Sequence, residues 1–437
     1  MDGDLSNPLR WNSLRKWLFE AIIDDLELFI LRDHMFLVTD LVADWASGPP
    51  PDFFTFIPFH YALDLTFRKF KLYLNSNDAN IINNPADMDD NNFLVLYGNE
   101  LHADLGIPID KFRPIRNEIT FDVHGHRLGL ENSNPSRVTL DTFLKEKNVA
   151  DLGKVTLTGS HSYYTESRPD LTDILRMDIH GTDFTLVLYG FLIRYFMNVK
   201  ENYFGENLHF KTQEEFQGTT NSIALPDKQE GPGGPSEQAN DLDVILCIVT
   251  ERATALIPAN LYSSKHGMKI DIATASADLR FTNYYMDLMV NFSPLGLTHY
   301  WPNIHPDSPT GNSSGTQIFI DGVDLFGHRL FGLAPAEPTY VCNWDIDIGG
   351  ISGECSSAFL QEAVGIARVF AFSLDDDENA LPIGQTAVIH DITFLRLKTD
   401  LVKIWLHAGK EALLLSNDPI GVDYNDWAGS NFSERLQ

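Results

Sequence analysis

Between Tyr61 and Asn75, apolar side chains fall on every second residue. They are Tyr61, Leu63, Leu65 and Phe67, then, after a phase slip at Arg68-Lys69, Phe70, Leu72 and Leu74. A two-residue period puts each set on one face of a strand. The slip predicts a β-bulge or a turn. The pattern recurs in Glu118–Leu130, where Ile119, Phe121 and Val123 point one way and Thr120, Asp122 and His124 the other. Further strand candidates are Phe93–Leu96, Val155–Thr158, Ile174–Leu188, Val244–Thr250, Lys269–Ala273, Leu279–Asn291, Gln317–Phe326, Asn343–Gly349 and Ile389–Leu406. Such one-faced strands, separated by long polar segments, admit two architectures. Two sheets can close on each other as a core, or one open, curved sheet can leave its apolar face lining a groove. Exposed apolar surface on that scale calls for a partner, and acyl chains are one.

Helical periodicity breaks the strand pattern in a few places. Leu192, Tyr195, Phe196, Val199 and Tyr203 recur at three- and four-residue steps after Gly190, with Gly205 as a stop. Thr212 and Glu215 have capping-box spacing. Leu14, Trp17, Leu18, Ile22 and Leu26 form a similar stripe, so Trp11–Ala46 reads as helical up to the Gly48-Pro49-Pro50-Pro51 stop. Asp141–Lys147 reads as a short helix and Ala358–Phe370 as a longer one. Residues 218–240 hold GPGGPSEQ and read as a flexible linker. The organisation expected is a helical segment over 1–52, a β module with a closing helix over 53–217, the linker over 218–240 and a second β module over 241–437. Gly125-His-Arg-Leu128 recurs as Gly327-His-Arg-Leu330, a hint of repetition.

Charge narrows the function. Lys and Arg number 32 against 61 Asp and Glu, a net −29. This argues against nucleic acid, whose phosphates need basic patches, and against broad adhesion to an anionic membrane. The three cysteines, Cys247, Cys342 and Cys355, lack Cys-x-x-Cys spacing. No phosphate loop, zinc-protease helix, nucleophile elbow or dinucleotide fingerprint is present. His124 and His126 have the spacing of strand metal ligands, but the intervening Gly125 points to a hairpin turn, and no metal or cofactor is assigned. Asp87-Met-Asp89-Asp90 and Asp375-Asp376-Asp377 lack the pattern of a calcium loop. No segment reaches the length of a membrane span. A β-rich scaffold for protein partners, or a carbohydrate hydrolase using carboxylates, are the other readings of these residues.

Several longer runs carry a resemblance. They are Leu31-Arg-Asp-His34, Thr39–Trp45, Ser47–Asp52, Phe56-Ile-Pro-Phe59, Asn80–Pro85 with Asp89-Asp90-Asn91, Arg194–Gly205 with His209–Thr212, and Pro338-Thr-Tyr340 with Trp344-Asp-Ile346. Together they resemble the cold-sensitive-for-fermentation proteins and their animal relative Tweek, which are bridge-like lipid transfer proteins. The resemblance implies a mostly β fold with crossing helices: elongated, curved antiparallel sheets forming an open hydrophobic groove of repeating β-groove modules. It implies a non-enzymatic internal or truncated section that conducts phospholipids, phosphatidylethanolamine among them, between membranes. It also implies a setting on the cytosolic side of endoplasmic reticulum contact sites, a link to GPI-anchor synthesis, adaptor proteins there, and membrane attachment through regions outside this chain. The family carries its function on inward-facing strand residues rather than catalytic ones. Here those are Leu63, Leu65, Phe67, Ile119, Phe121, Val123, Met177, Ile179, Leu186, Leu188, Ile272, Phe281, Ile318, Ile320, Ile346, Ile348, Ile392 and Phe394.

Overall fold

Alternation over residues 59–75 produces one long strand, and most of the chain repeats that outcome. The computed structural model describes residues 2–31, 34, 37, 41, 52–77, 91–133, 148–165, 171–204, 241–260, 263–282, 284–300, 317–330, 339–374, 390–408 and 410–425. The early strands are β1 (Asp2–Leu5), β2 (Arg15–Asp24), β3 (Glu27–Ile30), β4 (Phe59–Asn75), β5 (Phe93–Ile109), β6 (Arg116–Asn132), β7 (Asn148–Tyr164) and β8 (Thr172–Val187). Helix α1 (Gly190–Phe204) follows, then β9 (Asp241–Asn260), β10 (Ser263–Phe281), β11 (Tyr285–Tyr300), β12 (Ile318–Ile320), β13 (Val323–Leu330), β14 (Thr339–Ile348) and β15 (Ile351–Ser356). Helix α2 (Ser357–Leu374) precedes β16 (His390–Thr399), β17 (Val402–Ala408), β18 (Glu411–Asn417) and β19 (Ile420–Asn425). All strands belong to one nineteen-stranded sheet, which is curved, open and mixed.

Strands β4 to β8 form an antiparallel meander. The sheet then continues through parallel pairing of β8 with β9. A second antiparallel run, β9–β10–β11 and onward to β14 and β15, ends in parallel pairing with β16 and β17. Parallel neighbours cannot be joined by a hairpin and need a crossover. Helices α1 and α2 lie in those crossovers.

The slip at Arg68-Lys69 belongs to the whole sheet. Lys69 (φ 51°) faces Asn99 between the pairs Arg68–Glu100 and Phe70–Gly98. Arg127 (φ 52°) faces Gly153, which also faces Asp183 (φ 58°); Arg252 (φ 56°) lies beside Asp183, and Asp25 (φ 55°) beside Lys69. A left-handed residue shifts side-chain alternation by one step. The line runs on through Pro294 and the breaks between β12 and β13, β14 and β15, β16 and β17, and β18 and β19. This crease divides the sheet into two tiers.

On the apolar face, both helices pack on the tier that holds Phe70–Asn75. Phe191, Leu192 and Tyr195 of α1 are buried against Leu94 and Val149, with Leu130, Val187 and Val199 around them. Ser356 Oγ accepts the Phe359 N–H at 3.1 Å, an N-cap for α2. His299 of β11 then meets the Phe359 ring edge-on at 4.7 Å and Glu362 at 2.9 Å. The helix expected from Leu192 to Tyr203 is present, with Tyr195 rather than Phe196 turned into the core. That expected over Ala358–Phe370 is α2.

Other expectations are corrected. The stretch Trp11–Ala46 is not helical at its start: residues 15–24 and 27–30 are strands paired in parallel with β4. Trp17, Phe19, Ala21 and Ile23 supply a competing two-residue period, and pairing with a long neighbour decides between the periods. Helical conformation appears at His34, Leu37 and Leu41. His124-Gly125-His126 is mid-strand in β6, not a hairpin turn, and Phe93–Leu96 is only the start of a strand reaching Ile109. The repeated Gly-His-Arg-Leu occupies non-equivalent places: Arg127 lies on the crease, whereas Gly327–Leu330 ends β13 at the far side of its tier. Gly205, Thr212, Glu215 and residues 141–147, 218–240 and 375–378 lie outside the described residues.

Candidate functional site

Residues directly opposite one another in a sheet share a face, so the registers trace rows across the uncovered tier. One row runs Phe19, Leu63, Leu105, Phe121, Gly159, Met177 and Leu246. It continues through Leu279, Leu288, Gly327, Trp344, Leu395 and Tyr424. The adjoining row carries Leu65, Val123, Ile179, Ile248, Ile346 and Leu397, and its remaining positions are also apolar. At the usual strand spacing each row is roughly 60 Å long. Apart from Ala21 and Gly327, which are buried, the side chains of these two rows are half-buried: neighbours on the sheet shield them, and no second layer among the described residues covers them.

Glycines let large rings lie flat on this face. A methyl group at Gly159 would come within 2.6 Å of the Phe121 ring, and one at Gly327 within 2.4 Å of the Trp344 ring. Gly98 and Gly125 report the crease. A methyl at Gly125 would meet both Leu101 and Leu128, so Leu128 keeps to the apolar face across the left-handed Arg127.

The opposite face is acidic. The row behind the first one runs Glu20, Asp64, Asp104, Asp122, Thr158, Asp178, Cys247 and Asp278, passes the exposed Met289 and Phe326, and ends in Asp345, Arg396 and Asp423. Along this row carboxylates outnumber cations, with Arg396 the only basic side chain in it. His102 sits between two carboxylates, with Nδ1 3.4 Å from Asp64 and Nε2 3.2 Å from Asp104. His124 pairs with Asp122 at 3.2 Å. The ligating atoms of Asp64, His102 and Asp104 come together, but the two ring nitrogens face different carboxylates, so neither nitrogen shares both carboxylates. His124 and His126 share this outer face, two residues apart on β6. Cys247, between Asp178 and Asp278, has its thiol pushed up to about 11 by its hydrogen bond with Asp278, and further by partial burial and the two negative charges.

Where α1 meets the sheet, an amide network holds it. Asn202 Nδ2 donates to the carbonyls of Asn75 and Asn77 at 3.0 and 2.8 Å, and Asn198 Nδ2 to that of Ser76 at 3.0 Å. The Tyr203 hydroxyl accepts the Asn75 N–H at 2.9 Å and donates to the Ile30 carbonyl. Burial pushes Tyr203 up to about 12, against the opposing effect of the Asn75 hydrogen bond. Asn198, Asn202 and Tyr203 all belong to the Arg194–Gly205 run that carries the resemblance.

The candidate residues fall as follows. Leu63, Leu65, Phe67, Ile119, Phe121, Val123, Met177, Ile179, Phe281, Ile346 and Ile348 share the apolar face of the uncovered tier. Leu186, Ile272, Ile318 and Ile320 continue that face across the crease, in the tier that carries the helices. Leu188 follows the end of β8 and donates its N–H to the Leu256 carbonyl at 2.7 Å. Phe394 lies opposite Asn343, on the acidic face; Leu395 and Leu397 take the apolar positions on β16, and the backbone of Ile392 pairs with Val341. Trp17 and Phe19 were hidden by the helical reading of their segment. Leu246, Leu279, Leu288 and Trp344 sit in strands expected from the sequence, and only the pairing partners identify their face.

The chain's sequence matches a known family and several known proteins. Residues 1–231 match the family model described as the Csf1 N-terminal region. Protein CSF1 of Saccharomyces cerevisiae is 29% identical over 475 residues, covering 100% of this chain and 16% of that protein. Protein CSF1 of Eremothecium gossypii is 28% identical over 423 residues, covering 86% of this chain and 15% of its own length. Bridge-like lipid transfer protein family member 1 of Homo sapiens is 27% identical over 144 residues, 32% of this chain and 3% of that protein. The chain thus spans about a sixth of the CSF1 proteins it matches. With more than half its length matched by that model, it belongs to the Csf1 N-terminal family.

Proposed function

We propose that the chain is a section of a lipid-conducting groove. Phospholipid acyl chains lie against the apolar rows of the uncovered tier, and headgroups project past the sheet margin into solvent. One observation carries this reading: the rows from Phe19 to Tyr424 and from Ala21 to Val422 are unbroken and apolar, yet no second layer among the described residues covers them. Burying each methylene of an acyl chain there contributes about 0.8 kcal/mol, and an unbroken row lets the chain slide without a deep well to hold it. The acidic outer face offers little cation to hold phosphate, so headgroup selectivity is weak. No bond is made or broken in this process. Relatives named for lipid transfer support the same reading, and transport between membranes at endoplasmic reticulum contact sites, with adaptor proteins and phosphatidylethanolamine among the cargoes, is the setting proposed for the longer protein.

The test is organic extraction of the purified chain followed by lipid mass spectrometry. The expected result is copurified phospholipid. It is reduced in Phe121→Asp and Leu246→Asp variants that keep their circular dichroism spectrum and retained in Thr158→Asp on the acidic face. Lipid-free wild-type protein, or equal loading in all three variants, overturns the proposal.

A further inference from the structure

One corner of the sheet does not fit the acidic surface elsewhere. The connection between β1 and β2, the segment before β4 and the turn between β5 and β6 come together there. Leu9, Trp11, Phe54 and Ile115 are 105%, 65%, 76% and 80% exposed, far beyond the half-buried side chains of the apolar rows. Trp11 and Phe54 belong to one aromatic patch, joined through Phe53: Trp11 to Phe53 at 6.5 Å, Phe53 to Phe54 at 5.7 Å and Phe53 to Phe112 at 5.5 Å. The Arg113 guanidinium sits 5.2 Å from the centre of the Phe112 ring.

The charge here is reversed. Exposed Arg10, Lys111 and Arg113 lie in the same segments as the rings, with exposed Lys16 and Arg116 on the flanking strands, where the Arg116 guanidinium sits 5.8 Å from the centre of the Tyr164 ring; Asp52 and Asp110 are the acids of these segments. Asp52 is engaged locally: its Oδ1 accepts the N–H of Phe54 at 3.0 Å and of Thr55 at 2.7 Å. In a chain of net charge −29, a local excess of cations around solvent-facing aromatics is a specific arrangement. Aromatic rings with a polar or cationic edge are favoured at the headgroup level of a bilayer, and lysine and arginine are drawn to anionic lipid. Broad adhesion of the acidic chain to such a membrane is unfavourable, but a single basic corner is not bound by that average.

We propose that this corner, residues 9–16, 52–57 and 110–116, docks on an anionic phospholipid surface. Trp11, Phe54 and Ile115 enter the headgroup layer, and Arg113, Arg116 and their neighbours face the lipid phosphates. The site stands apart from the apolar rows and does not depend on their carrying lipid.

Flotation of the purified chain with vesicles tests it. The chain is expected to float with vesicles of phosphatidylcholine plus phosphatidylserine, to float less in high salt, and to stay in solution with phosphatidylcholine alone. Each basic side chain contributes about a fivefold change in partitioning, so Arg113→Gln with Arg116→Gln lowers binding by about 25-fold. Trp11→Ser with Phe54→Ser also lowers it; these side chains are exposed, so both double variants keep the wild-type melting temperature. Leu246→Asp, within the groove, floats like wild type, which separates this proposal from groove loading. Absence of flotation with the anionic vesicles, equal flotation with both vesicle types, or wild-type flotation of both double variants overturns the proposal.

Discussion

Asp183 and Arg252 lie side by side across the parallel pairing of β8 and β9, where Arg252 Nε and Nη2 donate to the two Asp183 carboxylate oxygens at 2.7 and 3.0 Å. Both have left-handed backbones, φ 58° and φ 56°. They mark where the sheet's crease passes through the parallel joint. Without the crease, a strand such as β4 would turn Phe70, Leu72 and Leu74 to the acidic side. With it, one apolar face continues from the uncovered tier to the tier beneath the helices.

Left-handed backbone is tolerated by glycine and resisted by β-branched residues. At Arg127, whose side chain is exposed, Arg127→Gly is expected to leave stability close to wild type. Arg127→Val is expected to cost about 1–3 kcal/mol. Denaturant melts of the two variants check this, and equal midpoints would show that the crease does not depend on the left-handed conformation.

Gly98 tests the packing beneath the crease. A Cβ there would stand 2.6 Å from Leu128 Cδ2 and 3.0 Å from the Phe70 ring, and both neighbours are buried. Gly98→Ala is therefore expected to destabilise by about 1–3 kcal/mol. Combining it with Leu128→Ala, which vacates the space, is expected to give less than the sum of the single costs. Strict additivity would place the two residues out of contact.

Leu192 is fully buried between α1 and the sheet. Truncation to alanine leaves a cavity among Leu94, Val149 and Tyr195 and is expected to cost about 2–5 kcal/mol. Phe196, one turn along and exposed, is expected to tolerate alanine with little change. Thermal melts of the pair distinguish a docked helix from a loosely attached one.

The sequence carried some of this and withheld the rest for physical reasons. The slip at Arg68-Lys69 is legible because Leu65, Phe67, Phe70 and Leu72 stand close together in the chain. That the same slip lines up across the sheet is not, because register is set by partners far away in sequence. Helix α1 announced itself through Leu192, Tyr195 and Val199. Strand β2 did not: Trp17, Leu18 and Ile22 satisfy a helical period as well as Trp17, Phe19 and Ile23 satisfy a strand period. In β16, Ile392 and Phe394 compete with Leu395 and Leu397 as the apolar set. Only the partnership with Ile346 and Trp344 puts Leu397 and Leu395 on the apolar face.

Cys247 gives a chemical reading of the acidic face. Its thiol is pushed up to about 11, chiefly by the hydrogen bond with Asp278. The thiolate is the reactive form, so alkylation of Cys247 at neutral pH is expected to be slow and to rise steeply only toward pH 11. Asp278→Asn removes that charge and is expected to speed the reaction. Mass spectrometry of iodoacetamide-treated protein, resolved by peptide, follows each cysteine separately. Equal rates in the two proteins would remove Asp278 as the cause.

Tyr203 links α1 to both Asn75 and Ile30, and its burial makes that link sensitive to base. Its folded value, about 12, lies above the ordinary 10.0. The folded state therefore holds the proton more tightly than the unfolded chain does. The resulting stabilisation is fully present below about pH 10 and is lost as pH rises through about 12. Tyr203→Phe removes the hydroxyl and its hydrogen bonds, at a cost of about 1–2 kcal/mol near neutral pH. It also removes this residue's share of the alkaline loss. Tyr73 and Tyr97 are likewise raised by burial and titrate in both proteins, so the difference between the two stability curves isolates Tyr203. The gap in denaturant midpoint is expected to be constant up to about pH 10 and to narrow above it. A gap that stays constant to pH 12 would show that the hydroxyl does not keep its proton through the α1 contact.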